Sequence, residues 1–221
     1  MQINIQKRVL EKNETEADRN RAYFKDQKVF VLNMMSSPGS GKTETLCKTL
    51  ARLMPQIQVG VIVGDICTTN DADRLAVTGA KVTQINTDQF GGDCHLAAHL
   101  IEASSRDLGI GDLDLLIVEN IGNLVCPAEF DIGEDARAVV LSVTEGEDKP
   151  LKYPLMFQVA DAAILNKVDL LPYLDFDASL AVENMKKVHP GMPVFEISAK
   201  TEQGIDPWID WLKDKVTAKL G

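Results

Sequence analysis

Three groups of residues in this chain have the types and spacing to do chemistry. Ser36-Ser37-Pro38-Gly39-Ser40-Gly41-Lys42-Thr43 is a phosphate loop: its glycines let backbone N–H groups approach phosphate oxygens, Lys42 reaches the terminal phosphates, and the Thr43 hydroxyl faces Mg²⁺. Asn166-Lys167-Val168-Asp169 is a base clamp. The Asp169 carboxylate accepts from the ring N–H and exocyclic amine of guanine, and adenine offers no equivalent donor at the ring position. The third group, Cys94-His95 with Cys126, has soft sulfur and nitrogen donors that select Ni²⁺, Zn²⁺ or Cu⁺ over Mg²⁺.

Supporting residues surround the first two groups. Pro38, Gly39, Ser40, Gly41, Lys42, Thr43 and Glu44 are expected at the nucleotide, with Lys42, Thr43, Asp65 and Glu119 as the catalytic set. Asp65 and Glu119 each follow an apolar run and should reach the phosphate–Mg²⁺ edge. Asp65 either holds Mg²⁺ through water or positions the attacking water. The Gly122 amide is placed to sense the terminal phosphate, as switch loops do. Asn166, Lys167 and Asp169 hold the base, and the backbone of Ser198-Ala199-Lys200 is placed to meet the guanine carbonyl. Asp71 and Asp73 read as helix caps. The phosphate loop departs from the general G-x-x-x-x-G-K-[ST] pattern at Ser36, which stands where the first glycine would be.

The metal reading is weaker on spacing alone. Cys94 and Cys126 lack a C-x-x-C pattern, and an isolated cysteine is commonly a small buried hydrophobe. Cys47 and Cys67 read that way. Three donors do not close a tetrahedral site, so water, His99 or a second subunit would complete it.

These groups need a scaffold that brings loops to one edge. Short runs rich in Val, Ile and Leu at Val29–Met35, Val59–Val63, Val82–Ile85, Leu113–Val118, Ala138–Val143, Ala162–Leu165 and Val194–Ile197 suit strands buried on both faces. Helical stretches at Lys42–Leu53, Asp71–Thr78, His95–Leu108, Leu151–Val159, Leu180–Val188 and Asp206–Leu220 alternate with them. The result is an α/β, three-layer P-loop fold with a mostly parallel sheet and ligands beyond the strands' carboxyl ends. Residues 1–27, charged with a loose helical spacing of Ile3, Ile5, Val9, Leu10, Ala17, Tyr23 and Phe24, are expected to form one or two short helices as an arm on the domain spanning residues 28–221. Glu145–Pro154 reads as an exposed loop.

Composition narrows the partners. A formal charge of −10 over 221 residues disfavours non-specific nucleic-acid binding. No apolar run spans a bilayer, the amino terminus does not read as a signal peptide, and four cysteines do not suggest a disulfide framework. The expected location is the cytoplasm.

Taken together, the motifs resemble the HypB family, the hydrogenase nickel-incorporation GTPases of the SIMIBI class. The resemblance runs from about Arg19 to the end and rests on Ser36–Thr43, Gly64-Asp65-Ile66, Asp93-Cys94-His95-Leu96, the string Glu119–Pro127, Asn166–Asp169 and Ser198-Ala199-Lys200. Serine in place of the first glycine is usual there. The resemblance implies a Mg²⁺-dependent GTPase cycling between GTP and GDP, and a GTP-dependent homodimer. It implies Ni²⁺ or Zn²⁺ on Cys94, His95 and Cys126 near the dimer interface, which reverses the hydrophobic reading of those cysteines. As partners it implies a nickel-binding accessory protein of the HypA type and the [NiFe]-hydrogenase large subunit, with neither nucleic acid nor membrane. The amino-terminal cysteine motif and histidine-rich tract of some members do not occur in this sequence, and the urease accessory relative would carry Cys-Pro-His rather than Cys94-His95. Two other readings stay open: a P-loop kinase with a small-molecule acceptor, and a metal carrier whose nucleotide is only structural.

Overall fold

The computed structural model describes residues 2–54, 56–65, 70–87 and 94–221, without the side chains of residues 2–7. Seven strands form one sheet: β1 (Phe30–Ser36), β2 (Val59–Asp65), β3 (Lys81–Asn86), β4 (Leu115–Gly122), β5 (Ala136–Ser142), β6 (Ala162–Asn166) and β7 (Val194–Glu196). Their order is β3-β2-β4-β1-β5-β6-β7, and every pairing is parallel. The three-layer expectation holds.

The apolar runs are continuous because both faces are covered. Phe30, Leu32 and Met34 of β1 and Leu115 and Ile117 of β4 pack with Leu46 and Leu50 of α2 (Lys42–Leu53) and with Trp208 and Leu212 of α9 (Asp206–Leu220). Alternate residues Val31, Leu116 and Val118 pack on the other face with Phe24 of α1 (Gln2–Asp26) and Ile101 of α4 (Ala98–Asp107). Further along that face, Met35, Val139 and Leu141 meet Met156 and Phe157 of α7 (Pro154–Gln158) and Met185 of α8 (Ala178–Val188). Three short helices complete the set: α3 (Asn70–Ala76), α5 (Cys126–Glu129) and α6 (Lys149–Lys152).

Five expectations change. The arm is a single helix of 25 residues, not one or two short ones. Its inner face is Asn13, Ala17, Asn20 and Phe24, all buried. These lie three or four residues apart, but two are amides, so hydropathy hides the stripe. Strand β4 runs on to Gly122, placing Glu119 inside it; a register shift between Met34 and Ser36 of β1 accommodates the extension. Helix α4 begins at Ala98 rather than His95, so Cys94 and His95 precede it. The stretch after Glu145 is not a free loop, and the helix expected over Leu151–Val159 is two helices broken at Tyr153, where Pro154 starts a new one.

Trp208 ties the outer helix layer to the phosphate-loop helix: fully buried, it donates from Nε1 to Thr49 Oγ1 at 2.9 Å. Trp208→Ala is expected to cost about 3–5 kcal/mol. Urea unfolding would read this as a lower midpoint, and a midpoint within error of the parent would refute the anchoring role.

Candidate functional site

The phosphate loop joins β1 to α2. Gly39 and Gly41 have φ of 75° and 91°, a region costly for residues with a side chain. At Gly41 a Cβ would also fall 2.5 Å from Asn166 Nδ2. The loop lines a cavity of about 510 Å³, shared with Gly64, Asp65, Asp71, Arg74, Glu119, Ile121, Gly122 and Lys167. Gly122 lies so near Pro38 that a Cβ there would meet its backbone at 3.1 Å. The end of β4 and the phosphate loop are therefore in van der Waals contact.

Glu119 is the electrostatic centre of this cavity. Its side chain is 2% exposed; Oε1 accepts from Thr43 Oγ1 at 2.6 Å and lies 3.5 Å from Lys42 Nζ. Oε2 is buried and has no hydrogen-bond partner among the described residues. Burial pushes the Glu119 carboxyl above the ordinary carboxylate range, outweighing the opposing pull of Lys42 and Thr43. An orphaned carboxylate oxygen beside a threonine hydroxyl is a hard oxygen donor set and fits Mg²⁺.

The base clamp is braced to the phosphate loop by buried Asn166. Its Nδ2 donates to Ser40 O at 3.0 Å, and its Oδ1 accepts from the amides of Lys167 at 2.7 Å and Ala199 at 3.0 Å. Lys167, at φ 64°, donates from Nζ to Gly39 O at 2.7 Å. Ser198 donates to Asp169 Oδ1 at 2.6 Å. Thus β1, β6 and the segment after β7 meet at one edge. The Ala199 amide serves Asn166, so this segment acts first as a brace for the clamp. Lys200 is exposed. The cavity lining reaches Lys167 but does not include Asp169.

At the other side of the phosphate loop, the segment after β4 carries Cys126 and the segment before α4 carries Cys94. Their sulfurs are joined as a disulfide, with Cα atoms 6.2 Å apart. The sequence suggests no disulfide framework, yet segments 32 residues apart in the chain meet at this edge of the sheet. His95 Nδ1 is 4.0 Å from Cys94 Sγ, and its ring stacks on Phe130 with centroids 3.6 Å apart. Among the described residues no group of three His, Cys, Asp or Glu side chains converges on a metal position. The two cysteines are brought together; His95 adjoins them through the chain. His99 turns to α1 instead, with Nδ1 3.3 Å from Glu16 Oε2.

Comparison with known proteins places the fold in a family. Residues 30–196 match the family model described as the CobW/HypB/UreG nucleotide-binding domain. The chain is 49% identical over 211 residues to the hydrogenase maturation factor HypB of Escherichia coli K12, spanning 96% of this chain and 72% of the relative. The chain belongs to the HypB family. A crystal structure of HypB from Helicobacter pylori in complex with nickel superposes with a TM-score of 0.86 at 39% identity, covering 95% of this chain and 97% of that one. HypB from Archaeoglobus fulgidus also superposes with a TM-score of 0.86, at 36% identity, over 93% of this chain and 98% of that one.

Two residues of this HypB-family site escaped the sequence reading. Arg74 of α3 lines the cavity, pairs with Glu44, and lies 3.5 Å from Asp71. Glu44, expected at the nucleotide, is thus held by a cation, and Asp71 is a cavity residue as well as a first-turn acid. The signal was the i, i+3 spacing of Asp71 and Arg74 just beyond Gly64-Asp65. Asn120, inside the Glu119–Pro127 string, is buried and bonded to three groups. Cys47 bears out its apolar reading, half-buried against the core with its thiol pushed up by burial despite Arg74 nearby. Cys67, Gly91, Gly92 and Asp93 lie outside the described residues. No helix among the described residues is long and apolar enough to cross a membrane.

A carboxyl whose folded pKa is raised stabilises the fold most below the ordinary carboxylate range, and that contribution is lost as pH rises through the folded value. The nucleotide-free Glu119→Gln variant should therefore gain stability relative to the parent as pH is raised. Urea unfolding between about pH 4 and pH 8 checks this, and parallel stability curves would reject it.

Proposed function

We propose that this chain hydrolyses GTP and uses the nucleotide state to control a thiolate site for Ni²⁺ or Zn²⁺, serving nickel insertion into [NiFe]-hydrogenase. The observation that carries this reading is covalent continuity. Glu119, Gly122 and Cys126 share one short stretch of chain, and Gly122 touches the phosphate loop. A shift of this stretch by a terminal phosphate moves a sulfur donor.

In hydrolysis, water attacks the γ-phosphorus, the bond to the bridging β-phosphate oxygen breaks, and GDP and phosphate leave. Lys42 and the loop amides stabilise charge on the phosphate oxygens. Thr43 would hold Mg²⁺, with Asp65 and Glu119 organising it, and the ion would supply charge neutralisation on the phosphates. In the nucleotide complex the Thr43 hydroxyl and Lys42 exchange Glu119 for the ligand, and the freed carboxylate can orient water. Arg74, now on Glu44, is a second cation at the same edge. Asp169, held by Ser198, reads the guanine edge.

Cys94 and Cys126, reduced, supply two thiolates, and His95 a neutral imidazole. Thiolate and imidazole donors fit Ni²⁺ and Zn²⁺ and lose affinity on acidification. The family's solved nickel complex supports nickel as cargo. A GTP-bound homodimer would complete the coordination and release the ion after hydrolysis, with a HypA-type protein and the hydrogenase large subunit as partners. The proposed organisation is a GTPase domain over residues 28–221, with residues 1–27 as its helical arm, working in the cytoplasm.

Two outcomes follow. Asp169→Ala is expected to weaken GTP binding by about 10²-fold or more and to erase preference for GTP over ATP, as an inosine- and adenine-nucleotide competition assay would show. Retained preference would remove Asp169 from base recognition. The reduced Cys94→Ala/Cys126→Ala protein should lose nickel binding by well over the ~10–100-fold that a supporting residue costs, with GTP affinity unchanged in calorimetry. Nickel uptake equal to the parent's would reject the site, and equal uptake in GDP and non-hydrolysable GTP forms would reject the coupling.

A further inference from the structure

Helix α1 holds both sulfur-bearing segments with the same two asparagines. Ala98, three residues past His95, is gripped at both backbone groups: its N–H donates to Asn13 Oδ1 at 3.1 Å, and its carbonyl accepts from Asn20 Nδ2 at 2.7 Å. The segment past Cys126 is held likewise. Asn13 Nδ2 donates to Asp131 O at 2.7 Å and Asn20 Nδ2 to Ile132 O at 3.0 Å. Both asparagines are buried, at 5% and 0% exposure, and stand two turns apart on one face of α1. Beside them the backbones nearly touch: a Cβ on Gly133 would lie 2.6 Å from Ala17 O.

The segment that follows Cys94 is tied to the sheet by a second route. Leu96 N–H donates to Asn120 Oδ1 at 3.4 Å, and Asn120 Nδ2 donates to Asn33 Oδ1 on β1 at 3.1 Å. Asn120 follows Glu119 directly. A helix that merely covered the sheet would be better served by apolar residues, because buried amides are costly unless bonded. These amides spend their bonds on loops that neighbour Cys94, His95 and Cys126, and the fork formed by Asn20 Nδ2 crosses from one loop to the other.

We propose that Asn13 and Asn20 are positioning residues for the Cys94–His95–Cys126 site, with α1 a clamp that sets the distance between its two loops. As a claim about metal affinity this rests on the metal reading above; as a claim about the sulfur pair it stands apart. Supporting groups of this kind change metal affinity about 10–100-fold when removed.

The test uses the full chain carrying Asn20→Ala and, separately, Asn13→Ala. The first readout needs no metal. In glutathione redox buffers, the Cys94 and Cys126 thiols give up two electrons and two protons to glutathione disulfide, forming the protein disulfide and two glutathione thiols. Alkylation and peptide mass analysis give the equilibrium for this pair. The clamp predicts that the effective concentration of one thiol toward the other falls by roughly tenfold in Asn20→Ala. The second readout, nickel titration by the sulfur-to-nickel absorption band, should show ~10–100-fold weaker binding with GTP affinity retained. A folded Asn20→Ala protein with the parent's thiol equilibrium overturns the proposal. So does an equal loss of GTP affinity, which would mark a general loosening of the fold. If Asn20→Ala does not melt cooperatively, Asn13→Ala decides by the same criteria. Failure of the parent to bind nickel would sink the metal reading alone, because the thiol equilibrium still judges the clamp.

Discussion

The site depends on one register: β1 lies parallel to β4 with Met34 opposite Glu119 and Ser36 opposite Gly122. Parallel pairing ends neighbouring strands on the same edge of the sheet, so the phosphate loop leaves β1 beside the last residues of β4. That register sets Glu119 under Thr43 and Lys42 and presses Gly122 against Pro38. A buried carboxylate with one unpartnered oxygen is unfavourable in a folding sense. Such groups persist where a ligand later uses them.

From this register the proposed coupling would run through covalent geometry. The chain passes from Glu119 through Gly122 to Cys126 with only Asn123, Leu124 and Val125 between the strand's end and α5. In the proposed mechanism, a displacement of this short stretch at the phosphate edge would reach Cys126. Cys94 arrives from the other side of the sheet edge and is held through Leu96 and Ala98. The phosphate loop and the Cys126 segment leave the adjacent strands β1 and β4, and buried amides bond the segment after Cys94 to α1 and to β4.

Buried amides recur at each junction. Asn166 joins β6, the phosphate loop and the segment after β7; Asn33 and Asn120 join β1, β4 and the Cys94 segment; Asn13 and Asn20 join α1 to both cysteine loops. Asparagine suits such junctions because it carries donor and acceptor on one short, neutral side chain. It can satisfy backbone groups that leave regular structure without importing a charge that burial would penalise. Hydropathy patterns treat the same residue as surface-like, which is why α1 looked like a loose charged arm and why Asn120 carried no role.

What the sequence determined was local chemistry and strand identity. Gly39 and Gly41 with Lys42 and Thr43 announce a phosphate loop because glycine adopts those dihedrals at least cost, and Asn166 with Asp169 has the spacing proposed to hold a base. Val-, Ile- and Leu-rich runs announce parallel strands because both of their faces are covered. What tertiary structure alone decided was pairing between distant segments. It set the β1–β4 register that extended β4 past Glu119, and the meeting of Cys94 with Cys126. It also turned His99 toward Glu16 and drew Arg74 onto Glu44. The reason is that propensity and motif are properties of neighbours along the chain. The partner of a buried amide or carboxylate is chosen by whichever backbone the packed layers bring within 3 Å or so.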